Sequence, residues 1–111
     1  MTTPLTRHAA MIELRPEKEA EYRQLHADVW PSVSDALTRA NISNYSIFLR
    51  DGVLFSYFEY RGRDLETDLR NAMADDGVRG WLTLTDACQV PIASASDGEW
   101  WAPAEELFHL D

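Results

Sequence analysis

Tyr22, His26 and Trp30 recur every four residues in the stretch Glu21-Tyr-Arg-Gln-Leu-His-Ala-Asp-Val-Trp-Pro31. On a helix this spacing sets a phenol, an imidazole and an indole at neighbouring positions of one face. Imidazole is the side chain whose unperturbed pKa lies closest to neutrality, so His26 suits general acid and base work. Tyr22 is able to relay a proton or to hold an oxygen of the ligand. Trp30 adds an aromatic surface beside them, although an indole at that point also serves as packing where the helix ends before Pro31.

The elements that must position these residues follow from the chain's punctuation. Residues Arg7 to Leu14 read as a first strand, and Pro16 fits the first turn of a helix, where its missing N–H costs nothing. Pro31 interrupts that helix, and Ser32 to Ala40 reads as a second helical stretch. Ile42 to Arg50 and Val53 to Tyr60 are rich in β-branched and aromatic residues and meet at Asp51-Gly52, which predicts an antiparallel hairpin. Strand alternation sets Asn44, Ser46 and Phe48 on one face of this hairpin and Tyr45, Ile47 and Leu49 on the other.

Leu65 to Ala74 and Gly77 to Cys88 read as two more helices, with Asp75-Asp76 as a cap. Ala93 to Gly98 is a small, polar loop, and Glu106 to Leu110 is the predicted last strand. The spacing Glu106-x-x-His109 is not a metal pair, because on a strand the two side chains point to opposite faces. His8 reads as a surface residue without a partner, and the single cysteine, Cys88, as a small apolar filler.

A chain of 111 residues, 45% of them hydrophobic, is long enough for one domain with a buried core, predicted to run through residues 1–111. Nineteen acidic against ten basic residues give a formal net charge of −9, which repels phosphate backbones and anionic lipid and so argues against nucleic-acid and membrane partners. A neutral ligand is indifferent to that charge. The opening residues, from Met1 to His8, lack a signal peptide's apolar core, and with one cysteine no internal disulfide forms, which predicts a cytoplasmic protein.

The order strand, helix, strand, strand, helix, strand is the split βαβ pattern of ferredoxin-like α+β domains. Helices cover one face of such a sheet. Pairing two sheets in a symmetric homodimer is the economical way to cover the other.

Four runs carry a family resemblance: the helical stretch from Glu21 to Pro31, Ile42-Ser-Asn-Tyr-Ser-Ile-Phe-Leu49, Leu54-Phe-Ser-Tyr-Phe-Glu59 and Glu106-Leu-Phe-His-Leu-Asp111. In their order and spacing the chain resembles the L-rhamnose mutarotase family. The resemblance implies a dimeric α+β barrel of ferredoxin-like protomers, and an enzyme that exchanges the α and β anomers of a pyranose without cofactor or metal. It implies His26 as the acid/base residue and Tyr22 as its companion. The family commonly carries two adjacent tryptophans lining the sugar pocket where this chain has Gly80-Trp81, so only Trp81 carries over as the surface for the sugar.

Anomer exchange needs a proton delivered to the ring oxygen and one removed from the anomeric hydroxyl, after which the ring opens, rotates and recloses. One acid and one base suffice, which accords with the lack of a glycine-rich phosphate loop in the sequence. Trp81 and Trp30 are the candidate ring faces for the sugar, and Asn44 and Tyr45 the candidate hydrogen-bonding residues. Glu59 serves as a base partner only if its face of the strand lines the pocket. Two other readings share the architecture: a small dimeric α+β barrel monooxygenase and a non-catalytic sugar-binding module.

Overall fold

The computed structural model describes residues 3–111; Met1 and Thr2, the start of the stretch inspected for a leader, lie outside the described residues. The chain runs β1 (Thr6–Leu14), a 3-10 turn (Pro16–Lys18), α1 (Glu19–Ala27), α2 (Pro31–Arg39), β2 (Ile42–Arg50), β3 (Val53–Tyr60), α3 (Leu65–Met73), α4 (Asp76–Asp86), β4 (Gln89–Val90) and β5 (Ala102–Ala104). The sheet is antiparallel in the order β2-β3-β1-β4, and β5 also pairs with β1. This is the mixed α+β, ferredoxin-like arrangement that the element order predicts.

The hairpin forms where its turn chemistry puts it. Asp51 and Gly52 both take positive φ, 51° and 75°, the backbone that a two-residue turn between right-twisting strands requires. A bulge between Ser43 and Ser46, with Asn44 at φ 47°, inserts one extra residue into β2. The bulge shifts the alternation by one, so buried Ile42 faces the helices together with Ile47 and Leu49 farther along the strand.

Two clusters of buried side chains join the helices to the sheet. Val33 and Ala36 of α2, Ile42 and Tyr60 of the hairpin, Ala72 of α3 and Val78 and Trp81 of α4 form one. Ile12 and Leu14 of β1, Leu54 of β3, Tyr22 of α1 and Cys88 form the other. Ile12 and Leu54 are almost wholly enclosed; burial of a side chain of that size contributes roughly 1.5–3 kcal/mol. Asp75 caps α4 by accepting from the Val78 N–H at 3.1 Å, and Asp64 does the same for α3 through Thr67.

The end of the chain departs from expectation. The last strand is Ala102–Ala104, paired with Ala9, Ala10 and Met11 of β1, and residues 105–111 hold no regular structure. Their apolar side chains meet no sheet: Leu107 is 88% exposed, and Phe108 and Leu110 are 80% exposed. A strand needs a partner edge as well as a strand-like pattern, and β5 and β4 already occupy this side of β1. Nor is His8 a partnerless surface residue, since its ring stacks on Phe58 at 5.0 Å between centroids.

Candidate active site

Helix α1 brings the phenol and the imidazole together as their spacing predicts. The rings of Tyr22 and His26 lie 4.2 Å apart between centroids. His26 Nδ1 is 2.9 Å from the main-chain carbonyl oxygen of Tyr22. A carbonyl oxygen only accepts, so Nδ1 carries the hydrogen and donates it. The ring is thereby anchored, and Nε2 is the nitrogen left to exchange a proton.

Helix α4 supplies Trp81, whose ring meets the edge of His26 at 5.2 Å. On the other side of Trp81 stands Trp30, edge to face at 5.4 Å. Trp30 is the residue just before α2, in extended backbone, because Pro31 forces its neighbour out of the helical region. The structure reverses the weighting of the two indoles: Trp81 is packed into the core at 6% exposure, whereas Trp30 keeps 36% of its surface free. The open indole is that of Trp30, which is joined to His26 through Trp81. Gly80, next to Trp81, borders an open depression on α4 lined also by Asp76, Arg79, Leu82, Thr83 and Asp86.

Tyr22 is 5% exposed. Burial drives its pKa from 10.0 to about 12, offset in part by a hydrogen bond from Gln89 and reinforced by the nearby acidic groups of Tyr45, Cys88 and Asp86. Tyr22 is therefore a proton-bearing phenol throughout the neutral range. Tyr45 stacks on Phe58 at 5.6 Å and so belongs to the helix-facing side of the sheet, where desolvation raises its pKa as well.

The structure does not bring Asn44 into this group. Asn44 Nδ2 donates to Glu59 Oε1, and Tyr57 donates to the other oxygen of the same carboxylate at 2.9 Å. Those two bonds, Asn44 first, hold the Glu59 pKa below its usual value. Asn44 serves the bulge and Glu59 is bound up with strand neighbours, so neither stands with His26. Cys88 fits its role as filler: it is fully enclosed, with a thiol that burial and the Glu21 carboxylate push up to about 11.

Gln89 is the residue that sequence reasoning missed. It is buried on β4, donates from Nε2 to the Tyr22 hydroxyl at 3.2 Å and accepts at Oε1 from Trp100 Nε1 at 2.8 Å. A polar residue inside Ala-Cys88-Gln89-Val-Pro was the one available signal, and nothing local pointed to Tyr22.

An anchored imidazole beside a protonated phenol, on a ferredoxin-like α+β scaffold, is an arrangement suited to acid/base chemistry. The profile of the family described as L-rhamnose mutarotase matches residues 7–110. The L-rhamnose mutarotase of Bacillus subtilis is 39% identical to the chain, over 96% of this chain and all of that one. The crystal structure of an L-rhamnose mutarotase from Formosa agariphila superposes with a TM-score of 0.70 at 21% identity, covering 96% of this chain and 99% of that one. A Caulobacter crescentus protein described as an antibiotic biosynthesis monooxygenase shares the fold at a TM-score of 0.58 and 12% identity, over 82% of this chain and 84% of that one. The chain belongs to the L-rhamnose mutarotase family, whose members are isomerases of the aldose-epimerase type.

Proposed function

We propose that this protein exchanges the α and β anomers of L-rhamnose by acid/base ring opening and reclosure, with His26 as the residue that moves the proton. The hydrogen bond from His26 Nδ1 to the Tyr22 carbonyl carries this reading, because it leaves Nε2 as the reactive nitrogen. In this scheme the doubly protonated His26 ring gives its Nε2 proton to the ring oxygen as the bond from C1 to that oxygen breaks, while a water molecule takes the proton of the anomeric hydroxyl. The aldehyde rotates about C1–C2 and recloses on the other face, with the protons returning by the reverse steps.

Tyr22 holds a sugar oxygen, and Trp30, backed by Trp81, offers the ring face against which the apolar side of a 6-deoxy sugar rests. Tyr45 completes the polar lining. The monooxygenase reading has the shared fold alone in its favour, at 12% identity.

The working unit in this proposal is a cytoplasmic homodimer of one domain per chain. Phe48 and Phe55 are cross-strand partners on the sheet face away from the helices, 61% and 39% exposed, and this apolar pair supports a second sheet packing there. Among the described residues no helix is long and apolar enough to cross a membrane.

The test is magnetisation-transfer NMR on L-rhamnose, with L-fucose and other free aldoses for comparison. Exchange between anomers accelerates with the protein, preferentially for L-rhamnose, and His26→Ala removes the acceleration. Exchange as fast in His26→Ala as in the parent overturns the role of His26; no acceleration for any aldose overturns the function.

A further inference from the structure

The hydrogen bonds behind Tyr22 have a direction. An indole N–H donates and never accepts, so Trp100 Nε1, 2.8 Å from Gln89, selects the amide's oxygen. With Oε1 fixed there, Nε2 is turned to Tyr22 and donates to its hydroxyl oxygen at 3.2 Å. Gln89 is 3% exposed and its side chain spans Tyr22 and Trp100, 78 residues apart in sequence but joined through this one amide. The Tyr22 oxygen thus accepts, and its own proton must point elsewhere. Among the described residues the hydrogen bond at this hydroxyl is the one it accepts from Gln89, and none is donated by it.

We infer that Gln89 and Trp100 are positioning residues that turn the Tyr22 hydroxyl proton toward the substrate, making Tyr22 an obligate hydrogen-bond donor to a sugar oxygen. The inference rests on the assignment of the site to Tyr22 and His26, and narrows it: Tyr22 holds an oxygen and does not take a proton from the sugar. Its pKa of about 12 agrees, since a phenol so reluctant to ionise is a donor at neutral pH. A buried O–H without an acceptor costs free energy in the empty protein, which a sugar oxygen recovers on binding.

The discriminating variant is Gln89→Glu, nearly identical in shape. While protonated, the introduced carboxyl donates to Tyr22 and accepts from Trp100, reproducing the amide. Once ionised it accepts from both, and draws the Tyr22 proton away from the sugar. The ionisable groups around this point, Tyr45 from β2, Asp86 of α4, Cys88, and Glu21 and His26 from α1, are the same in both proteins and cancel in the ratio of the two rates.

The anomer-exchange rate of Gln89→Glu relative to the parent is expected to stay near one at the acid end of the profile and to fall tenfold or more as the carboxyl ionises. In a Tyr22→Phe background the same substitution leaves the ratio flat. Trp100→Phe, which keeps a ring but frees the amide to flip, lowers the rate at neutral pH by several-fold with circular dichroism unchanged, and it serves if Gln89→Glu does not fold. A ratio independent of pH, or full activity in Trp100→Phe, overturns the inference while a slowed Tyr22→Phe leaves the site assignment standing. Full activity in Tyr22→Phe overturns both.

Discussion

The indoles of Trp30 and Trp81 meet edge to face, centroids 5.4 Å apart and planes at 72°. The contact gives them different tasks. Trp81 lies in the core between α2, α4 and the hairpin, and Trp30 leans on it with a free face outward. Trp30→Ala is expected to raise the sugar concentration for half-maximal exchange about tenfold, equivalent to about 1.4 kcal/mol, with a smaller effect on stability. Trp81→Ala is expected to cost about 3–5 kcal/mol of folding free energy, as a large side chain removed from a core does. Urea denaturation and exchange kinetics on the pair separate the two roles; equal stability losses refute the division.

Tyr22 ties folding to alkaline pH. Its folded pKa is raised from 10.0 to about 12, so the unfolded chain releases this proton first as pH climbs. The associated stability, about 3 kcal/mol, is fully present below pH about 10 and is lost as pH rises through about 12. Tyr22→Phe strands the Gln89 N–H and is less stable at neutral pH by about 1–3 kcal/mol. Its stability nevertheless declines less steeply than the parent's above pH about 10. Tyr45 and Cys88 are shifted in the same sense and remain in both proteins, so the difference between the two unfolding curves isolates Tyr22. Parallel curves contradict the burial of this phenol.

What the sequence made legible was local. Asp51-Gly52 names its own turn, and the four-residue spacing of Tyr22 and His26 is enough to place their rings together, because each signal lies within one element. What stayed hidden depended on partners far along the chain. Gln89 meets Tyr22 across 67 residues, and Ala102-Pro103-Ala104 pairs with β1 without any β-branched or aromatic residue to mark it as a strand. Residues 106–110 have strand-like composition and no edge to join. The burial of Trp81 and exposure of Trp30 likewise follow from α4 packing on α2, a tertiary fact that neither residue's neighbours encode.

Two glycines of α4 carry opposite expectations. A Cβ on Gly77 would sit 2.6 Å from the Ser32 Cβ of α2, too close for either helix to keep its place. A Cβ on Gly80 would meet Trp30 Cζ3 at 3.5 Å, an ordinary contact. Gly77→Ala is therefore expected to destabilise by about 1–3 kcal/mol, and Gly80→Ala to stabilise by up to about 1 kcal/mol, the helix-propensity difference. Urea midpoints with a common slope report both signs. A stabilised Gly77→Ala contradicts the close approach of α2 and α4.

The paired rings of Phe48 and Phe55 bear on the assembly. Both lie on the sheet face opposite the helices, and Phe48 is 61% exposed. If a second copy covers this face, a charge there has to be buried without a partner on association, a penalty of several kcal/mol for each ion. Phe48→Lys on its own sheet remains in solvent and costs the isolated fold little. Light scattering after size exclusion is expected to give twice the chain mass for the parent and one chain mass for Phe48→Lys at micromolar concentration, with far-UV circular dichroism unchanged. A Phe48→Lys protein that keeps the parent's mass places the contact between copies elsewhere.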